Sequence, residues 1–434
     1  MEVKVTSSTI LPSPTSHHSD IPLTIFDRFA ANIHIYVIYA FTPPTPSNAD
    51  LISALSKTLV YFPTLTANLS TDCHGRPCVS VGGPHEDRGA LVVEATVLSK
   101  LEDHLPLTPS PDLRLLHPDA ENPKHLLQVQ LNRFQCGGLV IGLTSHHRVA
   151  DGRSMCAFTI AWGKILRGVP IDPLPFYDQP WLKPRNPPLV QFDHWGSEFI
   201  HLSPQSNEFI ITRTDVDPSE ITNLLLHFSP DFITKLKAQT NKLSTDKHTT
   251  FETLLGYLWR KMTIARQLDD EECTTLSVSV NGRRRLQPTV PPEFFGNLVL
   301  NAYPKAKAKA LIEGGAATAA GIVREGLRFI GEDYFQSFID FGEVYGDRDL
   351  VPCFEKDGNV LSPKIEVDGW LGLGFDEVNF GGGGKLCAFL PTWVPFEGLL
   401  IFSPSLSQSG GVDVFVSLLE KHAVTMREIS HSLD

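Results

Sequence analysis

The sequence predicts an α/β protein of two domains joined by a long crossover, and three observations carry that reading. At 434 residues the chain exceeds what one ordinary hydrophobic core holds. Strand-like and helix-like patterns alternate in both halves. Between them lies a stretch from Pro170 to about Asn207 that contains Pro170, Pro173, Pro175, Pro180, Pro184, Pro187, Pro188 and Pro204. Proline at this density sustains neither a helix nor a central strand. The expected division is a first domain over 1–170, a linker over 171–207 and a second domain over 208–434.

The elements follow in order. Residues 1–8 read as a strand and then a polar loop. Strands are expected over 33–39, 91–94 and 126–132, with a helix over 49–59. The apolar run Leu139-Val140-Ile141-Gly142-Leu143 is a further strand. After it, Met155, Phe158, Trp162, Ile165 and Leu166 recur at three- and four-residue steps, so they share one helical face. Beyond the linker, helices are expected over 231–241 and 249–264, a strand over 275–280 and one long helix over 318–340. Residues 396–404 and 411–416 close the chain as strand and turn. No fixed period recurs, which excludes a solenoid.

Composition narrows the function classes. Lys and Arg number 37 against 49 Asp and Glu, a net charge of −12, which argues against a generic nucleic-acid binder. A hydrophobic content of 42% fits a soluble globular protein. No run of eighteen apolar residues exists to span a membrane, and the first residues lack the apolar core of a signal peptide. The seven cysteines show no framework spacing. Reduced thiols in a cytoplasmic protein are the expectation.

The most informative stretch is His146-His147-Arg148-Val149-Ala150-Asp151-Gly152, an H-x-x-x-D-G motif between the apolar strand and the helix. A histidine there sits where rigid elements hold reactive side chains. A hydrogen-bonded turn histidine is the plain alternative. Metal binding by His146, His147 and Asp151 is weaker, because adjacent strand residues point to opposite faces and no second ligand cluster exists. Three other motifs are set aside. Asp340-Phe341-Gly342 lacks the companions of a kinase and is expected to cap a helix end. Gly381-Gly382-Gly383-Gly384-Lys385 fails the Walker A spacing, so its glycines are expected to serve a tight turn or close packing. Arg283-Arg284-Arg285 reads either as a solvated turn or as an internal ion pair with Asp151 through Arg283 or Arg285.

Around the histidine motif stand ordered companions. Gln128 to Gly138 leads into it. Asn379-Phe380-Gly381-Gly382-Gly383 follows far downstream, then Pro391-Thr392-Trp393 and Glu397-Gly398. Ile21 to Asp27, Tyr61-Phe62-Pro63, Leu258-Trp259-Arg260 with Ala265-Arg266, and Phe295-Gly296-Asn297 complete the series. In this order the chain resembles the plant BAHD acyltransferases over nearly its whole length, and within them the group that acylates agmatine and similar amines with hydroxycinnamoyl groups. The resemblance implies two similar chloramphenicol-acetyltransferase-like domains with a tunnel at their interface. It implies an acyl-CoA co-substrate and no tightly bound cofactor or metal. Two departures stand out. Asn379, with Gly381 and Gly383, occupies a motif that is usually D-F-G-W-G in the family, and Asn281 replaces the Asp of its D-x-R segment. An amide still accepts a hydrogen bond but makes no charge-assisted pair.

The resemblance makes His147 the catalytic base. Neutral imidazole, with an ordinary pKa of ~6.5, accepts a proton at cytosolic pH. Asp151 is assigned structural support, and Gly152 a tight turn. Asp368-Gly369-Trp370 stands where many O-acylating relatives have Thr-Ser-Trp. An ionised Asp368 would repel an oxyanion and attract a cationic amine; a solvated Asp-Gly turn is the alternative. The expected reaction is hydroxycinnamoyl transfer, for example coumaroyl or feruloyl, from CoA to agmatine, putrescine or tryptamine, giving a phenolic amide of plant specialised metabolism. Trp370, Phe380, Trp393 and Phe396 are candidates for a flat acyl slot, with packing in the core the plainer reading of each taken singly. Lys235, Lys237, Lys242 and Lys247 are candidates for the CoA phosphates, or a solvated helix face. The rival readings are O-acylation of a shikimate-like alcohol, a carrier-protein condensation domain, and a silent acyl-binding relative. A monomer without nucleic-acid or membrane partners is expected.

Overall fold

The structure, a computed structural model, describes residues 1–82, 89–118, 124–201, 214–241 and 247–433. Pro204 and Asn207, at the end of the expected linker, and Lys242 lie outside them. The described residues form two large sheets and a small one.

Period-two alternation builds the first sheet. Its order is Val3–Leu11, Ala90–Val97, Leu127–Phe134, Leu139–His146, His34–Phe41 and Leu386–Pro391. Leu127, Val129 and Leu131 turn to one face and are buried there with Leu139, Ile141 and Leu143. Helices Asn48–Leu59 and Gly152–Leu166 cover that face with Leu51, Leu55, Phe158 and Trp162. The Trp162 indole N–H donates to the Leu51 carbonyl at 2.9 Å, which ties the two helices together.

The second sheet runs Val299–Ala302, Cys273–Asn281, Ile365–Gly369, Leu399–Pro404, Val412–Leu419 and Ile221–Phe228, with Lys305–Lys307 paired beside Cys273–Asn281. Helices Pro230–Asn241, Thr250–Ala265 and Ala308–Phe329 pack on one face of it. Thr249 and Glu252 close a capping box on the second of these, so its start is written in the sequence. The expected long helix over 318–340 is two: Ala308–Phe329 and Glu332–Tyr345. Gly331 breaks them, and Glu332 and Asp333 stabilise the new N-terminus against the helix dipole.

The halves interlock. Strand Leu386–Pro391, from the C-terminal half, pairs antiparallel with His34–Phe41 at the edge of the first sheet. Phe26 and Phe29, from the N-terminal half, are buried in the second core against Phe335, Phe338 and Phe354. Described residues of the crossover are tied down along helix Glu332–Tyr345. Arg185 pairs with Asp340 at 2.6 Å, and the backbone N–H groups of Arg185 and Leu189 also donate to that carboxylate. Further on, buried His194 meets Glu198 at 3.1 Å and Ser337 at 3.0 Å. The Asp340-Phe341-Gly342 triplet therefore does not cap a helix end, as expected from sequence. It lies inside a helix, where Asp340 anchors the crossover and Gly342 allows contact with Ile25 that a Cβ would reduce to 2.8 Å.

Candidate active site

Strand Leu139–His146 is buried along its length and carries the histidine motif to the seam between the two sheets. The His146 N–H donates to the Leu126 carbonyl and the His147 N–H to the Ile33 carbonyl, so the strand end is fixed by backbone on both sides. A short 3-10 turn, His147–Val149, then hands the chain to helix Gly152–Leu166. The two histidines part as strand neighbours should. His146 is buried with its ring edge against His34 at 4.8 Å, and its Nδ1 accepts from the Arg148 N–H at 3.2 Å. His147 is half-buried and faces strand Ile365–Gly369 of the second sheet. Its carbonyl accepts from the Asn297 side-chain amide at 2.9 Å, which also donates to Asp27 at 2.9 Å. Its Nδ1 is enclosed and has no protein hydrogen-bond partner.

Asp151 points away from that face. Its Oδ1 accepts from the Ser154 N–H at 2.9 Å as the helix N-cap, and its Oδ2 meets Arg283 at 2.7 Å. The Leu298 N–H adds a third donor at 3.2 Å. Arg283 also donates to the Ser154 hydroxyl and to the carbonyls of Phe294 and Gly296. Asp151 and Arg283 are both buried. Burial alone would raise the Asp151 pKa, but the Arg283 charge and these hydrogen bonds hold it below the usual carboxylate range. Of the open alternatives for the arginine triplet, Arg283 makes the ion pair. Asn281 accepts from the Arg283 N–H at 3.0 Å, a cap that an amide makes as well as a carboxylate. Gly152 keeps ordinary helical backbone; a Cβ there would approach Leu373 at 3.3 Å, so close packing rather than turn geometry explains it.

Across from His147, strand Ile365–Gly369 puts Ile365 and Val367 into the second core and Glu366 and Asp368 on the opposite face. Burial pushes the Asp368 pKa up, opposed by a hydrogen bond to Ser279 and by the charge of His147. Glu366 is pushed up to about 7, first by burial, although Lys364 at 3.8 Å pulls the other way. Asp368 therefore lies on the strand that His147 faces, within electrostatic reach of its ring. Glu366 and Ser279 were not among the sequence candidates, and Asn297 stood there only as part of the Phe295-Gly296-Asn297 motif, without a role. Period-two alternation from Asp368 would have flagged Glu366, whereas Ser279 left no local signal.

The aromatic candidates divide. Trp370 is partly exposed, packs with Phe389 at 5.3 Å, and joins Phe396 over Leu399, Ile401 and Phe415 on the His147-facing side of the second sheet. Trp393 lies under the Arg114 guanidinium at 4.7 Å. Phe380 is buried in the first core, its ring against Trp162 at 4.8 Å and Phe41 at 5.3 Å. Asn379 accepts from the Gly381 N–H at 2.7 Å and starts a turn in which Gly381, Gly382 and Gly383 all have positive φ, the conformation glycine tolerates. Gly384 lies so near the Thr42 carbonyl that no side chain would fit. Among the lysines, Lys237 donates to Thr250 at 3.3 Å at the start of helix Thr250–Ala265, and Lys235 pairs with Asp231 on the surface. Two open grooves of about 700 and 390 Å³ lie elsewhere, the first beside Arg28, Arg76 and Arg348, the second beside Lys57, Arg167 and Gly381; neither includes His147.

A family model described as the transferase family matches residues 1–433. The chain belongs to the BAHD acyltransferases. It is 38% identical to tryptamine hydroxycinnamoyltransferase 2 of Oryza sativa over 95% of this chain and 93% of that protein. Agmatine coumaroyltransferase-1 of Hordeum vulgare matches at 37% over 95% and 94%. Shikimate O-hydroxycinnamoyltransferase of Nicotiana tabacum is more distant at 28%, over 97% and 98%. In fold, this BAHD chain superposes on the crystal structure of vinorine synthase with a TM-score of 0.74, at 20% identity over 99% and 98% of the two chains. F. graminearum TRI101 complexed with ethyl coenzyme A gives 0.71, at 16% identity over 95% and 97%. Among the described residues of this BAHD enzyme no helix is long and apolar enough to cross a membrane, and no cluster of His, Cys, Asp or Glu could hold a metal ion. All seven cysteines are free.

The buried histidines near the site set its response to acid. Burial holds His117 and His146 neutral, each pushed down to about 3. His117 bridges Thr144 at 3.0 Å and Thr392 at 2.7 Å. In the unfolded chain each titrates near ~6.5. Below that pH the unfolded state binds protons that the native state refuses. Stability is therefore full above ~6.5 and falls by up to ~1.4 kcal/mol per pH unit per histidine until the native pKa is reached. The melting temperature should drop steadily from pH 6.5 to pH 4.5, and His117→Asn should flatten that slope. An unchanged slope in the variant would remove His117 from the account.

Proposed function

We propose that this acyltransferase moves a hydroxycinnamoyl group from its CoA thioester to a small cationic amine such as agmatine, putrescine or tryptamine, and releases a phenolic amide. The observation that carries the amine reading is Asp368, an acidic side chain on the strand that His147 faces. The relatives of highest identity reported above, which carry amine substrates in their names, support it. In this reading His147 is the general base. As the amine nitrogen attacks the thioester carbonyl, the C–N bond forms and the nitrogen's proton passes to the imidazole. The C–S bond then breaks and the same proton goes to sulfur as CoA leaves. No enzyme nucleophile is needed, because the thioester brings its own leaving group. Asp151 serves the turn, not the substrate. Trp370 and Phe396 would line the acyl slot, and Lys237 is the lysine best placed to meet a CoA phosphate.

Domains over 1–170 and 208–434, exchanging the 386–391 strand and joined by 171–207, would leave a tunnel with His147 midway, open to CoA on one face and to the amine on the other. The reduced cysteines support a cytoplasmic site, and we take the enzyme to act as a monomer. The test is Asp368→Thr. Loss of one charge-assisted contact is worth ~1.5–3 kcal/mol, so KM for the amine should rise roughly 10–100-fold while kcat changes less. An unchanged amine KM would overturn Asp368 as the recognition residue.

A further inference from the structure

Three segments meet behind His147, and one acidic side chain among them has no part yet in the reaction. Asp27 lies in the short helix Ile25–Phe29, which Thr24 caps. Each hydrogen-bond partner of its carboxylate is a donor. Oδ2 accepts from the Thr24 N–H at 2.9 Å and from the Thr24 hydroxyl at 2.8 Å. Oδ1 accepts from the Asn297 side-chain amide at 2.9 Å. The same amide nitrogen donates to the His147 carbonyl, also at 2.9 Å. One amide thus joins a carboxylate of the N-terminal helix to the backbone of the catalytic turn.

We propose that Asp27 is a positioning residue for catalysis: its carboxylate holds the N–H edge of Asn297 against the His147 carbonyl and so fixes the backbone from which the imidazole projects. The inference rests on His147 as the general base. Asn297 is 3% exposed, and the other end of its amide, Oδ1, is buried without a partner. An unpaired buried acceptor costs free energy, so something must hold the amide in this orientation. The backbone on either side does not. The Leu298 N–H donates to Asp151 at 3.2 Å and the Gly296 carbonyl accepts from the Ser154 hydroxyl at 2.9 Å. Those bonds fix where Asn297 stands and leave its side-chain torsions open. An ionised carboxylate accepts and never donates. With Asp27 on one side and the His147 carbonyl on the other, the amide meets two acceptors, and only its two N–H groups satisfy both. A turned amide would set its oxygen against both of them.

The anchor behind Asp27 is firm. Phe26 and Phe29 of its helix are buried in the second core, and the Arg28 guanidinium donates to the carbonyls of Gly346 and Arg348, just beyond helix Glu332–Tyr345. Asp27 touches no reacting atom in this arrangement and acts through Asn297. The imidazole must reach the attacking nitrogen and then the departing sulfur, and a misplacement of about 1 Å at such a group can cost as much as 10²-fold in rate.

The test is a set of variants assayed with coumaroyl-CoA and whichever acceptor the enzyme acylates fastest, below the melting temperature of each. Asp27→Asn keeps the size of the side chain but sets an NH2 group among partners that themselves donate. Its kcat should fall about tenfold while KM for both substrates holds. Thr24→Ala removes the hydroxyl from the helix start and leaves the Asn297 contact in place. Its melting temperature should fall while kcat stays within about twofold of wild type. Asn297→Ala should lower kcat at least as much as Asp27→Asn, and the double variant no further than Asn297→Ala alone, because Asp27 acts only through that amide. Losses that multiply in the double variant would overturn the proposal, as would a loss of kcat in Thr24→Ala equal to that in Asp27→Asn. Either result would make Asp27 a helix-start residue and no more. An unchanged kcat in Asp27→Asn would overturn it outright. Normal turnover in His147→Ala, assayed alongside, would instead sink the base reading on which the inference rests.

Discussion

His147→Ala should lower kcat by roughly 10²–10⁴-fold with the fold intact. The size of the loss follows from what the imidazole does: it removes a proton as the C–N bond forms and supplies it as the C–S bond breaks. Asp368, on the facing strand, is given to holding the acceptor's cation in this account. The fold should survive because the turn is held by backbone. The His147 N–H donates to Ile33 and its carbonyl accepts from Asn297, and alanine keeps both groups. The ring's own Nδ1 has no protein partner to lose. Steady-state rates beside a melting curve check this. Turnover near wild type, in a variant that melts normally, would remove His147 as the base.

Asp151→Asn should behave in the opposite way, with stability as the larger loss. The carboxylate and the Arg283 guanidinium are buried together, and Arg283 lies on the second sheet's side of the seam. Taking one charge from a buried pair leaves the other uncompensated, at a cost of about 3–5 kcal/mol. For cores of this size that is a fall in melting temperature of roughly 6–20 °C. The asparagine can still cap helix Gly152–Leu166 through its oxygen, so the helix itself should persist. Activity should fall with the same change, because the turn carrying His147 is braced by this pair. A variant that keeps its melting temperature while losing turnover would place Asp151 in the chemistry instead of beneath it.

The sequence made the local parts of this fold legible and left its long-range parts hidden. Helices Asn48–Leu59 and Thr250–Ala265 lie within a residue or two of expectation because both periodicity and capping residues mark them. The run over 318–340 looked continuous because apolar spacing carries across Phe329 and Tyr334, and one glycine was too little to announce a break. The docking of Phe26 and Phe29 in the second core, and of Leu386–Pro391 in the first sheet, depends on partners hundreds of residues away. The site divides in the same way. The position of His147 at a strand end is local, and so is the cap made by Asp151. That Phe380 packs in the first core shows only through Trp162 and Phe41, partners far from it in the chain. The choice of Arg283 over Arg285 as the partner of Asp151 needed the seam between the sheets.

The most direct test of the account is a competition among acceptors for one acyl donor. Purified enzyme would receive coumaroyl-CoA with equal amounts of agmatine, putrescine, tryptamine and shikimate, and the products would be identified by mass. The account predicts amides of the cationic amines, with free CoA in equal amount and shikimate left unreacted. Coumaroyl shikimate as the main product would contradict it, since an ester formed in preference to every amine cannot be reconciled with Asp368, on the strand facing His147, as the feature that selects the acceptor.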